Sequence, residues 1–178
     1  MNIEKIPVGP EGKVPEELYV VIEVPKGSQN KYELDKESGA IFLDRVLFTS
    51  MHYPADYGFV PKTLCDDGDP LDCLVLTTWP LHPGVVVRVR PIGLLIMEDE
   101  KGQDEKLLAV PVEKLDSRFA KIKDIDDVPE AVKNEIKHFF EHYKDLEPGK
   151  WVKVKEWKNR EEAIKYVKKA IKKYEEGH

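Results

Sequence analysis

Cysteine is nearly missing from this sequence: Cys65 and Cys73 stand alone among 178 residues and lack CxxC spacing. Two such residues cannot build a disulfide framework, so both read as reduced, small apolar side chains. Long apolar runs are missing too. Nothing approaches the roughly 18 residues of a membrane span, and Met1-Asn2-Ile3-Glu4-Lys5-Ile6-Pro7 has no apolar stretch to serve as a signal peptide. The expectation is a soluble, cytoplasmic chain with no membrane partner. There is no basic excess either: 28 Lys+Arg face 34 Asp+Glu, a formal charge of −6. Because phosphate contacts supply most nucleic-acid affinity, no nucleic-acid partner is expected, although a local basic pocket fits within that total. Neither GxxxxGK[ST] nor GxGxxG occurs, which removes nucleotide cradling by a Gly-rich loop.

Internal repeats, low-complexity tracts and linkers are absent as well. A length of 178 residues fits one domain spanning 1–178, large enough to bury a core around a rigid site without disulfides or a structural metal. Charged residues form 35% of the chain, a Lys- and Glu-rich composition that permits surface ion-pair networks of the thermophile kind.

Period-2 and apolar runs rich in β-branched residues predict strands at Leu18-Val24, Tyr32-Leu34, Ala40-Phe48, Leu71-Thr77, Val85-Met97, Lys106-Val112 and Trp151-Trp157. Two helices follow. One runs from Pro129 to about Lys144, with Val132, Ile136, Phe139, Phe140 and Tyr143 on one face. The other spans Glu161 to Glu176, with Ala163, Val167, Ala170, Ile171 and Tyr174 on one face. Pro129 at the start of the first, and the Asn159/Glu162 capping-box pattern before the second, mark their N-termini. Strands followed by helices predict an α+β, mainly β, fold: a closed or partly closed barrel with two flanking α-helices. Loops at Pro25-Asn30, Leu64-Pro70 and Asp99-Glu105 are where polar groups can converge.

Asp66-Asp67-Gly68-Asp69-Pro70-Leu71-Asp72 packs four carboxylates into seven residues around a Gly and a Pro that force a tight backbone. Two such charges about 4 Å apart repel by roughly 1 kcal/mol in water and about 4 at an effective dielectric of 20, so the cluster either faces solvent or holds cations. It runs straight into the apolar strand Leu71-Leu76, so Asp72 is fixed at a strand start and cannot swing freely into water. Oxygen-only donors suit Mg²⁺ or Mn²⁺ rather than Zn²⁺. The spacing fails a calcium loop: counted from Asp67, position 5 is Leu71 and position 12 is Thr78. A second acidic group, Glu98-Asp99-Glu100 with Asp104, sits between two predicted strands. Lys31, Arg45 and Lys106 lie in or at the edge of strands, and Tyr53 and Tyr57, flanking Pro54 and preceding Gly58, are expected on a shaped loop. Carboxylates combined with Lys, Arg and Tyr, without a nucleophilic Ser/His or Cys/His pairing, suit phosphoryl transfer to water by positioning and charge neutralisation.

Asp67-Gly68-Asp69-Pro70-Leu71-Asp72-Cys73 resembles the signature of the soluble family I inorganic pyrophosphatases. The likeness extends to Leu18-Pro25, Lys31-Tyr32-Glu33, Asp44-Arg45, Tyr53-Gly58, Asp99-Glu100, Asp104 with Lys106, and His138-Lys144, covering roughly residues 14 to 157. That resemblance implies an OB-like five-stranded barrel, a short prokaryotic-type chain, a homo-oligomer of six subunits and hydrolysis of pyrophosphate to phosphate with several Mg²⁺ ions, Mn²⁺ being an alternative. It also implies that Asp67, Asp72 and Asp104 hold the tightest ion, with Asp72 bridging to a second. Asp69 becomes the general base that activates the attacking water. Asp99 and Glu33 contact ions arriving with substrate, supported by Glu23 and Glu100. Lys31 and Tyr57 hold the attacked phosphoryl group, and Arg45, Tyr143 and Lys144 the leaving phosphate, with Lys106 and Tyr53 nearby. The loop Lys26-Asn30 and the helix after Asn159 match least and receive no role.

Two other readings compete. His138-Phe139-Phe140-Glu141-His142 fits H-x-x-E-H, a zinc-hydrolase pattern placing two His on one helix face, though no third ligand is evident. A non-enzymatic OB-type binding module is the other, with Trp79, Trp151 and Trp157 as a stacking platform; the acidic loops oppose it.

Overall fold

The structure, a computed structural model, describes residues 1–177. Its strands are β1 (Leu18–Val24), β2 (Asn30–Leu34), β3 (Ile41–Val46), β4 (Asp56–Val60), β5 (Leu71–Val75), β6 (Val86–Asp99), β7 (Gly102–Pro111) and β8 (Val152–Lys158). The helices are α1 (Glu130–His142) and α2 (Arg160–Glu176).

Strands β1, β4, β5, β7 and β6 lie side by side in that order, and β6 returns to pair with β1, closing a ring of five. The mainly β architecture with two flanking helices is the one expected. β6 is long enough to serve two neighbours. Val86–Val89 pair with β1, and Leu94–Asp99 pair with β8 outside the ring. The handover falls where the register slips between Pro91 and Gly93: Pro91 has no N–H to give a ladder, and a bulge there bends the strand. β2 and β3 form a separate hairpin.

Alternation along the strands sorts most buried side chains into two large clusters, with a small third one of Val21, Leu34 and Phe59. Leu71, Cys73 and Val75 of β5, with Leu107 and Ala109 of β7, join Ala163, Val167 and Ala170 of α2. The opposite faces, Leu74, Leu108, Leu95 and Met97, join Ile136, Phe139, Phe140 and Tyr143 of α1. Period 2 in the strands thus meets i, i+3, i+4, i+7 in the helices, which is why both faces are dry. Of the capping box expected on α2 the Asn159 half forms, its side chain accepting from the Glu162 N–H, whereas Pro129 is the N-cap of α1 and makes no side-chain cap bond.

Two local expectations are corrected. Tyr53-Gly58 does not end as a loop: Asp56–Val60 is a strand buried along its whole length. Gly58 looked like a turn signal, yet a Cβ there would lie 1.8 Å from the Val21 carbonyl oxygen. The glycine is there for close backbone approach between β1 and β4. The Asp99-Glu105 loop also shrinks, because β6 and β7 stay paired out to Asp99 and Gly102, with Gly102 at φ 122°, a value open to glycine. No helix among the described residues is long and apolar enough to cross a membrane.

Candidate active site

The acidic loop before β5 is tied to itself. The Cys65 N–H donates to Asp69 O at 2.8 Å and the Gly68 N–H to Cys65 O at 3.1 Å. The Asp69 N–H donates to Asp67 Oδ1 at 2.9 Å. Gly68 sits at φ 87°, in the left-handed region that favours glycine. These bonds divide the four carboxylates. Asp66 turns outward to Lys173, 2.8 Å away, while Asp67 and Asp69 face the cleft with Asp72. Burial raises the Asp67 carboxyl above its ordinary value, with the charges of Asp69 and Asp72 adding to the effect.

Next to this loop the β5–β7 register places Asp72 opposite Lys106. Lys106 is 5% exposed. Its Nζ donates to Asp72 Oδ2 at 2.6 Å and Tyr57 Oη at 2.9 Å, and lies 3.0 Å from Asp104 Oδ2. Burial by itself would lower the lysine pKa; Asp72, Tyr57 and Asp104 outweigh it and hold the ammonium well above its ordinary value. Burial raises Asp104, the nearby lysine opposing and Asp72 reinforcing. Tyr57 is pushed up chiefly by burial and stays a phenol. Tyr53 lies beneath it, buried, with ring centroids 5.4 Å apart.

The β2–β3 hairpin and the end of α1 supply the rim. Lys31 and Arg45 are register partners that share Asp44 Oδ2, at 3.0 and 2.6 Å. Arg45 Nε also lies 3.0 Å from Glu147 Oε1, at an angle that leaves Nε without a hydrogen bond, while Nη2 donates to Glu147 Oε2 at 3.3 Å. Glu23 is buried under the hairpin, accepts the Leu34 N–H at 2.8 Å, and is pushed up to about 7, first by burial and then by the charges of Asp72 and Glu33. Lys144, just past α1, sits 3.5 Å from Asp99 and 3.8 Å from Glu100.

One cleft of about 200 Å³ collects Glu23, Lys31, Glu33, Tyr57, Asp67, Asp69, Asp72, Asp99, Asp104, Lys106, Tyr143 and Lys144. Arg45, Tyr53 and Glu100 do not line it. Arg45 is held back by Asp44 and Glu147, Tyr53 is under the floor, and Glu100 reaches the cleft only through Lys144. Sequence reasoning missed Lys36, Lys101 and Tyr32, which do line it. Their signal was a position within three residues of Glu33 or Asp99, which says nothing about direction. Glu147, the buried partner of Arg45, carried no signal in its Leu-Glu-Pro-Gly turn.

Among the described residues no three acidic or imidazole groups converge as a finished metal cage; Lys106 Nζ sits between Asp72 and Asp104. The donor set nonetheless fits hard cations. It is all carboxylate oxygen, Asp104 is desolvated, and Asp67 and Asp69 have no ion pair among the described residues, so a hard cation from solution would complement it.

The competing sites look different. His138 and His142 lie on the exposed side of α1, ring centroids 4.8 Å apart, and His142 Nδ1 is 2.8 Å from Asp145. The three tryptophans have separate settings: Trp79 is 68% exposed under the Arg118 guanidinium, Trp151 is exposed before β8, and Trp157 packs against the core.

Comparison with known proteins agrees with the geometry. Residues 20–175 match the family described as inorganic pyrophosphatase. An inorganic pyrophosphatase of Aquifex pyrophilus is 59% identical over 169 residues, covering 94% of this chain and 96% of that protein. One of Thermus thermophilus is 58% identical over 175 residues, covering 97% and 98%. A crystal structure of inorganic pyrophosphatase from Thermus thermophilus superposes with a TM-score of 0.93 at 56% identity, covering 98% of this chain and 99% of that one. A structure from Helicobacter pylori gives 0.92 at 54% identity, covering 96% and 99%. With the strand ring, the cleft and these likenesses in agreement, the chain belongs to the inorganic pyrophosphatases, in their family I, short prokaryotic form, and is a hydrolase of inorganic pyrophosphate.

Proposed function

We propose that the cleft splits pyrophosphate into two orthophosphates with Mg²⁺ as its working ion, Mn²⁺ being able to replace it, and with Asp69 as general base. The observation that carries this reading is the make-up of one cleft: carboxylates opposite Lys31, Lys106, Lys144, Tyr57 and Tyr143, with no Ser, Cys or His in its lining. With no Ser, Cys or His in the lining, water is the nucleophile in this proposal, and Asp69 serves it as base rather than forming an aspartyl phosphate.

Asp67, Asp72 and Asp104 would hold the tightest ion, Asp72 reaching a second, and Asp99 and Glu33 would meet ions that come with substrate. When bound, such ions neutralise phosphate charge and make a water easier to deprotonate. Asp69 then takes the proton of the attacking water. Its loop position suits that task, because the backbone bonds around Gly68 fix its direction while leaving the carboxylate open to the cleft. Tyr57 accepts from Lys106, so its own hydroxyl hydrogen is available to the attacked phosphoryl group, alongside Lys31. Tyr143 and Lys144 face the leaving phosphate, and Arg45 joins them on turning from Glu147. Glu23 and Glu100 steady these groups from behind.

The test is phosphate release from pyrophosphate, ATP and a long polyphosphate, each with Mg²⁺ and with the metal chelated. Activity on pyrophosphate that vanishes on chelation and returns with Mg²⁺ is the expected result. Full turnover under chelation would end the metal reading.

The same reading places the enzyme in the cytoplasm as an assembly of identical subunits, six by family resemblance. Phe42, Leu43, Val46 and Phe48, all more than half exposed on or just after β3, support association, since patches of this kind mark contact surfaces. Sedimentation at micromolar concentration should give a mass several times 20.5 kDa; a monomer would refute it.

A further inference from the structure

α2 touches the acidic site at several points along one face, and the reaction described above makes no use of it. Ala170 O accepts the Leu64 N–H at 3.0 Å. Lys173 Nζ donates to Cys65 O at 3.3 Å and to Asp66 Oδ1 at 2.8 Å. One turn before Ala170, Tyr166 Oη donates to Glu105 Oε2 at 2.6 Å. Residues 166, 170 and 173 share a helix face by their spacing, and Ala163, Val167 and Ala170 seat that helix on the strand ring.

The placement of Tyr166 is specific. Cys65 anchors the loop that carries Asp67 and Asp69, through its N–H to Asp69 O. Glu105 follows Asp104 on β7. The loop and the strand are far apart in sequence, and their carboxylates repel each other in a cleft where burial already disfavours charge. Whatever holds the two arms at a fixed spacing decides how well they share a cation, and outer partners that fix ligand geometry are commonly worth tenfold or more in metal affinity.

We propose that Tyr166 is a positioning residue: its hydroxyl ties α2, which grips the Asp67 loop through Ala170 and Lys173, to the Asp104 strand and thereby sets the affinity of the site for divalent ions. The inference rests on the metal assignment above. Tyr166→Phe keeps the ring that packs α2 and removes only the link.

The experiment measures Mn²⁺ binding without substrate, from the electron paramagnetic resonance signal of free Mn²⁺, on wild type, Tyr166→Phe, Glu105→Gln and the exposed control Lys172→Met. Tyr166→Phe should weaken binding by about tenfold and raise the Mg²⁺ needed for half-maximal activity by a similar factor. At saturating Mg²⁺, kcat should stay within about a factor of two, the pattern of a positioning loss rather than a lost reacting group. Glu105→Gln, which alters the other end of the same bond, should move binding in the same direction, and the double variant should add little to either. Lys172→Met should match wild type. Unchanged Mn²⁺ binding in both Tyr166→Phe and Glu105→Gln, with wild type binding normally, overturns the inference alone. A wild type that binds no Mn²⁺ overturns the metal assignment and this inference with it.

Discussion

Asp72 and Lys106 are register partners across the parallel pairing of β5 and β7, and the lysine Nζ reaches the Asp72 carboxylate at 2.6 Å. The same ammonium stands 3.0 Å from Asp104. A buried cation therefore occupies the centre of an acidic cleft, stabilised by the charges it separates, and that arrangement has measurable consequences.

Lys106→Met should destabilise the metal-free protein, because two partly buried carboxylates lose their counter-charge. Removing one partner of a buried ionic cluster costs about 3–5 kcal/mol; with Asp72 still 28% exposed, the lower end applies. For a chain of this size that is a fall in Tm on the order of 6–12 °C. Added Mg²⁺ should restore part of it by returning positive charge. Differential scanning calorimetry with and without Mg²⁺ checks both halves, and an unaltered metal-free Tm would contradict the argument.

Asp72→Asn and Asp69→Asn should fail differently. The first removes a ligand, so metal binding weakens by at least about tenfold and activity recovers partly at high Mg²⁺. The second removes the proton acceptor, so kcat drops by about 10²–10⁴ while metal binding is largely kept. Titration calorimetry with Mg²⁺, set beside steady-state kinetics, separates the two. Near-full turnover by Asp69→Asn would show that another group is the base.

Glu23 gives the metal-free protein a pH signature. Its folded-state pKa is raised from 4.5 to about 7 by burial, so the fold favours the protonated carboxyl. The associated stability is fully present below pH 4.5 and is lost as pH rises through about 7. The span corresponds to roughly 3 kcal/mol, an order-of-magnitude figure. Glu23→Gln should flatten this decline in urea denaturation between pH 5 and 8 with the metal chelated. A wild type that gains stability across that window through this group would reverse the sign and refute the assignment.

Two glycines near the site, Gly58 and Gly68, should respond unequally to alanine. At Gly58 the new Cβ would meet the Val21 carbonyl oxygen at 1.8 Å, so β1 and β4 cannot stay paired and little folded protein is expected. At Gly68 no atom lies within 4 Å, but φ is 87°, a strain of about 1–2 kcal/mol. Gly68→Ala should therefore fold, with a small loss of Tm and impaired turnover from a redirected Asp69. Circular dichroism melts and phosphate release distinguish these outcomes; a stable Gly58→Ala variant would mean that the strand approach is looser than described.

Most strands and both helices were legible because their periodicity is undiluted: Leu71–Val75 alternates between two dry faces, and Ile136, Phe139, Phe140 and Tyr143 repeat at helical spacing. β4 was not, since Pro54 and Gly58 carry turn chemistry whose purpose there is close packing across strands. The acidic motif and its flanking segments named many of the residues that line the cleft, though Arg45, Tyr53 and Glu100 do not, and could not show that Asp66 turns away while Asp67 and Asp69 turn in. That division depends on Lys173, 107 residues distant in the chain. Arg45 was likewise legible as a cation in a strand, and Glu147, which holds it back, was not.

Residue types, their local spacing and their periodicity determined that this chain folds as strands with two amphipathic helices and that it carries carboxylate chemistry suited to hard cations and phosphate, because those properties reside in short stretches. Which carboxylates share one cleft, that a lysine sits among them, and that α2 braces the loop to the strand were decided only by tertiary structure. Those distances join segments that meet through strand register and helix docking, and no local pattern encodes a separation in space.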